Sequence, residues 1–155
     1  MPHIHEKVDF CVEVFIVHEN RLLLRIHDKY HKWLSVGGHI ELDEDPSQAA
    51  VREVREEAGL SITLYDRRAS QPPLSAEYKD IIPPMFVNRH RINATHEHVA
   101  FVYFATSASN DVRQGETEIS DQVRWFSKEE LEKSQEISED IKWYGIEALN
   151  ALSTR

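Results

Sequence analysis

Glu53, Glu56 and Glu57 stand within one short stretch, Arg52-Glu53-Val54-Arg55-Glu56-Glu57-Ala58-Gly59-Leu60. Carboxylates three and four apart on a helix are neighbours and repel. Projected at about 100° per residue from Glu53, Glu57 falls near 40° and Glu56 near −60°. Ala50, Val51, Val54 and Ala58 spread over about 60° to 160°, the sector such a helix buries. The acids therefore border the buried face, where solvation is poorest. Arg52 and Arg55 can serve Glu56 but hardly the Glu53–Glu57 pair. One reading is a solvated acidic face with local salt bridges. The other is a divalent cation: Mg2+ prefers carboxylate oxygens and commonly shares its shell with substrate phosphates. Such an ion offsets charge on a phosphate and can ionise a bound water into a nucleophile.

Other residues with chemistry are more scattered. His90, His96 and His98, or His3 and His5, have the ligand type for zinc. No cysteine accompanies them, and a substrate-facing role for His96 or His98 fits better. Arg67-Arg68 and the stretch Asn88-Arg89-His90-Arg91 are the local basic features of an acidic chain. Arg89 and Arg91 suit a phosphate or ribose as well as they suit plain solvation. Tyr78, Phe86, Tyr103 and Phe104 could stack on a base, with at least one of Tyr103 and Phe104 expected in the core. Trp33 and Trp125 read as packing residues.

These groups need elements to hold them. The acids lie on a helix expected from Pro46 to Ala58. Asp45 can cap it, Pro46 suits its first position, Gln48 completes a capping box, and Gly59 suits the left-handed turn that ends it. Residues 8–17 read as a strand with Val8, Phe10, Val12, Val14 and Ile16 on one face. A turn at 18–21 returns the chain into a strand at 22–27. Residues 33–40 read as a short strand entering a glycine loop, and 60–66 as a further strand. From 67 to 98 the chain reads as irregular, with a short strand near Met85–Val87. The apolar run 99–107 is expected at the centre of a sheet. A strand at 122–127 precedes helices at Lys128–Lys133 and Ser138–Leu152. This mixture predicts an α/β fold with helices on both faces of the sheet.

The chain has 155 residues, 41% hydrophobic and 29% charged, which suits one domain with one core. No run is apolar enough for a membrane span, and the N-terminus lacks a signal-peptide layout. Its single cysteine, Cys11, sits in an apolar run and is expected to be buried and reduced, which favours the cytoplasm. The net charge of −9 disfavours duplex nucleic acid. A small anionic ligand is compatible with it, and so is a homodimer.

Extended back to Gly38, the acidic helix resembles the Nudix box of the MutT-like hydrolases. That box runs Gly, five residues, Glu, seven residues, Arg-Glu, apolar, any, Glu-Glu, any, Gly, apolar. Here Gly38, Glu44, Arg52, Glu53, Val54, Glu56, Glu57, Gly59 and Leu60 hold those positions. Trp33 ahead of Gly37-Gly38, and the stretch Val123–Leu131, also resemble the family. Val36 stands where it often has proline.

The resemblance implies a single domain over 1–155, a Nudix-type α/β/α sandwich around a mixed β-sheet. It implies hydrolysis of a nucleoside diphosphate linked to another moiety, by attack of a metal-bound water on phosphorus, with Mg2+ or Mn2+ as cofactor. The implied metal ligands are Glu53, Glu56 and Glu57, completed by a Gly37 or Gly38 carbonyl. Arg52 would orient the acids through Glu56 or Glu53, and Glu44 would support it. Glu53 is the chosen general base; Glu97, Glu116 and Glu118 are the distal alternatives. His96, Glu97, Tyr78, Arg89 and Arg91 are the expected substrate contacts.

The same resemblance leaves two other functions. A non-catalytic Nudix-fold nucleotide-binding or regulatory module would be expected to lose box glutamates, and this chain keeps them. A prenyl diphosphate isomerase would need a catalytic cysteine in a loop, where Cys11 is not. Pro72-Pro73 and Tyr78 point to different substrate subfamilies, and no coenzyme A signature is present.

Overall fold

The computed structural model of the protein describes residues 6–68, 75–117 and 119–154. His3, His5, Pro72-Pro73 and Glu118 lie outside them.

β1 (Val8–His18) and β2 (Arg21–Ile26) form a hairpin. Its turn residues, Glu19 and Asn20, have φ of 45° and 63°. Such a left-handed pair matches the twist of the strands it joins. The turn expected at 18–21 is present. The chain then crosses into β3 (Trp33–Leu34), which pairs with β2, breaks at Ser35, and continues as β4 (Val36–His39), which pairs with β1. The single strand expected at 33–40 is therefore two, because the chain changes partner within it.

α1 (Pro46–Ala58) has the expected bounds. β5 (Ile62–Leu64) is shorter than expected. β6 (Phe86–Arg91) and β7 (Glu97–Ser107) form an antiparallel hairpin, closed by the Arg91–Glu97 pair. This corrects the reading of 86–98: the short strand expected near Met85–Val87 is the full strand β6, and β7 begins before Val99. Alternating Arg and His hid β6, because only one of its faces is shielded. β7 lies parallel to β1 from Val8–Glu97 to Val17–Thr106, and β5 and β6 share its other edge. β8 (Val123–Phe126) pairs with β2. α2 (Lys128–Lys133) and α3 (Glu139–Leu152) follow.

The mixed sheet has a helical layer on each face. Val12, Val14, Ile16, Leu23, Tyr103 and Ala105 pack beneath Ala49, Ala50, Val54 and Ala58 of α1. Phe15, Val17, Leu22, Leu24, Val102 and Phe104 pack against Leu131 of α2 and Ile141, Ala148 and Leu149 of α3. β1 is thus buried on both faces, not on one. Phe10 is the exception: 46% exposed, it sits beyond the reach of α1. Cys11 is buried as expected, and so are both Tyr103 and Phe104. Trp33 packs edge-on against Phe126 with ring centroids 5.1 Å apart. No helix among the described residues is long and apolar enough to cross a membrane.

Candidate functional site

The ends of α1 fix where its acids fall. The Asp45 carboxylate accepts from the Gln48 N–H at 2.9 Å, and the Gln48 side chain accepts from the Asp45 N–H at 2.9 Å. At the other end Gly59 has φ 65° and donates to the Arg55 carbonyl. A left-handed residue here stops the helix one position after Ala58.

Glu53 and Glu57 are 1% and 2% exposed, whereas Glu56 is open to solvent. Arg52 gathers the site. Its Nε and Nη2 donate to both oxygens of Glu44, at 2.9 and 2.5 Å. Its Nη1 donates to Glu53 at 2.9 Å and Glu56 at 3.1 Å, and its Nη2 also reaches the His39 carbonyl at 2.9 Å. The bond to Arg52 holds the Glu44 carboxyl below its ordinary value, and the reciprocal contact raises the guanidinium's. Glu57 is held from elsewhere: Arg25 Nη2 of β2 donates to it at 2.7 Å, and the Gly37 N–H at 3.1 Å.

The expected shortage of partners for Glu53 and Glu57 is therefore corrected. Arg52 reaches Glu53, and Arg25 serves Glu57 from a strand far away in sequence. Arg25 escaped the sequence reading, though a charged residue alternating with Leu23 on one face of an apolar strand is the signal that marks it. The glycines let β4 approach this closely. A Cβ on Gly38 would stand 2.4 Å from a Glu53 oxygen, and one on Gly37 would stand 2.0 Å from the Val12 carbonyl. The donor set is carboxylate oxygen gathered on one side of α1, which suits Mg2+ or Mn2+.

The other expected site residues divide. Gly115 donates to the Glu56 carbonyl at 3.1 Å and Arg113 to the Ala58 carbonyl at 2.8 Å, bringing exposed Glu116 to the end of α1. Glu97 is instead engaged by Arg89 on the sheet. Arg89 and Arg91 are exposed on β6. Tyr78 is 55% exposed, and its neighbour Lys79 reaches Asp45 at 3.5 Å. A cleft of about 550 Å3 runs beside α1, lined by Val51, Arg52, Arg55, Glu56, Thr63, Leu64 and Ile82 among others.

His96 turns inward. It is 4% exposed, and its Nε2 lies 3.3 Å from the Asp9 carboxylate, itself 1% exposed. His39 approaches the same carboxylate at 3.5 Å and His98 at 3.3 Å, nitrogen to nitrogen. Burial, then the neighbouring His39, His90 and His96, lowers the pKa of His98 to about 4. Burial pushes the Cys11 thiol up, with Glu13, Asp9 and Glu53 adding to it. Asp9 and His39 were not singled out from sequence, because strand pairing alone brings them together.

A family model described as the NUDIX domain matches residues 9–146. A NUDIX-family hydrolase from Clostridium perfringens is 38% identical, with a TM-score of 0.86 over 94% of this chain and 98% of that one. An Ap4A hydrolase from C. elegans is 18% identical, with a TM-score of 0.65 over 92% of this chain and 96% of that one. An ADP-ribose pyrophosphatase from Streptococcus suis is 16% identical, with a TM-score of 0.57 over 92% of this chain and 90% of that one. The last two likenesses are of fold.

Proposed function

We propose, for a chain that belongs to the NUDIX family of hydrolases, the divalent-metal-dependent hydrolysis of a nucleoside diphosphate linked to another moiety. The observation that carries this is the convergence on α1. Arg52 ties Glu44, Glu53, Glu56 and the His39 carbonyl together, while Arg25 and Gly37 hold Glu57 beside them.

Glu53, Glu56 and Glu57, with a backbone carbonyl at Gly37, would hold Mg2+ or Mn2+. When bound, the ion supplies Lewis-acid stabilisation of the charge that builds on the diphosphate oxygens. Glu53 takes the proton of the attacking water at its carboxylate. Its Arg52 contact and the glycine surface of β4 hold that carboxylate in one place. Arg52 and Arg55 line the cleft and offset substrate charge, while Val51, Leu64 and Ile82 offer an apolar wall to the nucleoside. Arg91 and Tyr78 are exposed toward the outer part of the substrate, and Arg89 meets it from its pairing with Glu97. Glu116 is the distal alternative to Glu53 as base. The protein works as a single domain in the cytoplasm, a reading supported by its lone buried thiol.

The test is a panel of NTPs, oxidised NTPs, ADP-ribose, nucleotide sugars and dinucleoside polyphosphates with Mg2+, followed by coupled phosphate release. Turnover of one class is expected; turnover of none would leave the non-catalytic binding module as the better reading. Glu53→Gln should lower kcat by about 100-fold or more with the fold retained. A near-normal rate would remove Glu53 as base.

A further inference from the structure

The Asp9 cluster lies on the sheet face opposite α1. Register places it there: Asp9 pairs with His98 across β1 and β7, and Cys11 with His39 across β1 and β4. The same face carries Phe15 and Phe104, which pack in the α3 layer. Three neighbouring strands thus each offer one donor at the end of the sheet.

The donor geometry is that of a coordination shell. Ligand atoms of Asp9, His39 and His98 all lie within 4.8 Å of one another. Zn–N and Zn–O bonds near 2.05 Å, set tetrahedrally, separate ligand atoms by about 3.3 Å. The His39–His98 nitrogens are 3.3 Å apart, and His39 Nε2 is 3.5 Å from Asp9 Oδ2. Two further histidines stand around this shell. His96 contacts the Asp9 carboxylate through Nε2 and the Glu6 carbonyl through Nδ1. The His90 ring lies 5.6 Å from that of His98, and its Nδ1 meets the Asn88 side chain at 2.8 Å. His96 and His90 thus stand behind the ligands, in the place where metal-binding histidines and carboxylates commonly have supporting groups.

Charge points the same way. Asp9 is a carboxylate at 1% exposure, and His39 and His96 bring imidazole nitrogens to 3.5 and 3.3 Å from it. Two imidazoles and one carboxylate suit zinc-class ions and not Mg2+, which selects oxygen.

We propose that Asp9, His39 and His98 bind a zinc-class divalent ion, distinct from the acid site on α1, that ties β4, β1 and β7 together. The site reaches the acid site through one residue. His39 gives its side chain to this cluster and its carbonyl to Arg52. An ion here would hold the Gly37-Gly38-His39 segment that backs the acids.

The test uses the untagged full chain, titrated with Co2+ in excess Mg2+ so that the α1 site is occupied. A single Co2+ per chain with the strong visible bands of a tetrahedral nitrogen-ligated ion is expected, displaced by Zn2+. Zn2+ should also raise the thermal midpoint of the wild-type protein, a readout independent of how the variants fold. His39→Ala, His98→Ala and Asp9→Asn should each weaken Co2+ binding by about 10-fold or more, and Glu56→Gln should leave it intact. No Co2+ band in excess Mg2+, or binding unchanged in both histidine variants, would overturn the site and leave a hydrogen-bonded histidine network.

Discussion

Glu57 is a charge almost out of reach of water, and Arg25 is its counter-charge. Both side chains are nearly fully buried, and the Arg25 Nε has no hydrogen-bond partner among the described residues. A buried pair of this kind adds little net stability, yet removing one partner strands the other. Arg25→Ala should therefore cost about 3–5 kcal/mol in urea unfolding. Arg25→Met with Glu57→Met should recover part of that loss in stability. A small loss in Arg25→Ala would mean that Glu57 is satisfied without Arg25. Arg52 works differently. It is partly exposed and spreads its donors over three acids and a carbonyl, so it sets their positions more than their total energy.

At the scale of the element, α1 and β4 form one device. The helix is bounded by its capping box and Gly59, which sets the rotation of Glu53, Glu56 and Glu57 about its axis. β4 supplies a surface without side chains against which Glu53 can lie. Gly38→Ala would place a methyl group within 2.4–2.7 Å of the Glu53 carboxylate atoms, which must then move. Misplacement of a catalytic group by about 1 Å can cost on the order of 100-fold in rate. Gly38→Ala should therefore lower kcat by at least about 10-fold while the urea midpoint shifts little. A rate near wild type would show that Glu53 tolerates displacement.

Over the whole molecule, β1 belongs to two cores. Val12, Val14 and Ile16 face α1, while Phe15 and Val17 face α3. Both layers therefore share one strand, which is paired with β7 over most of its length. Leu23→Ala in one core should cost about 2–5 kcal/mol, and Phe15→Ala in the other about 3–5 kcal/mol. In both, tryptophan fluorescence and far-UV circular dichroism should report one coincident transition. Separate transitions would show two independently unfolding layers.

Much of this was legible in the sequence because it is local. The capping residues, the bounds of α1, the hairpin turn at Glu19-Asn20 and the spacing from Gly38 to Leu60 depend on contacts a few residues long. The helical period alone put three acids on one sector and next to the buried side. Whatever depends on strand pairing had to wait for the tertiary structure. Arg25 reaches Glu57 only because β2 lies under α1. β6 was hidden because its Arg and His pattern shows only one shielded face. Asp9, His39 and His98 are separated by long stretches of chain, and the register of β4, β1 and β7 brings them together. A helix fixes its own side-chain directions through bonds between near neighbours, whereas a sheet takes them from strands that sequence proximity does not identify.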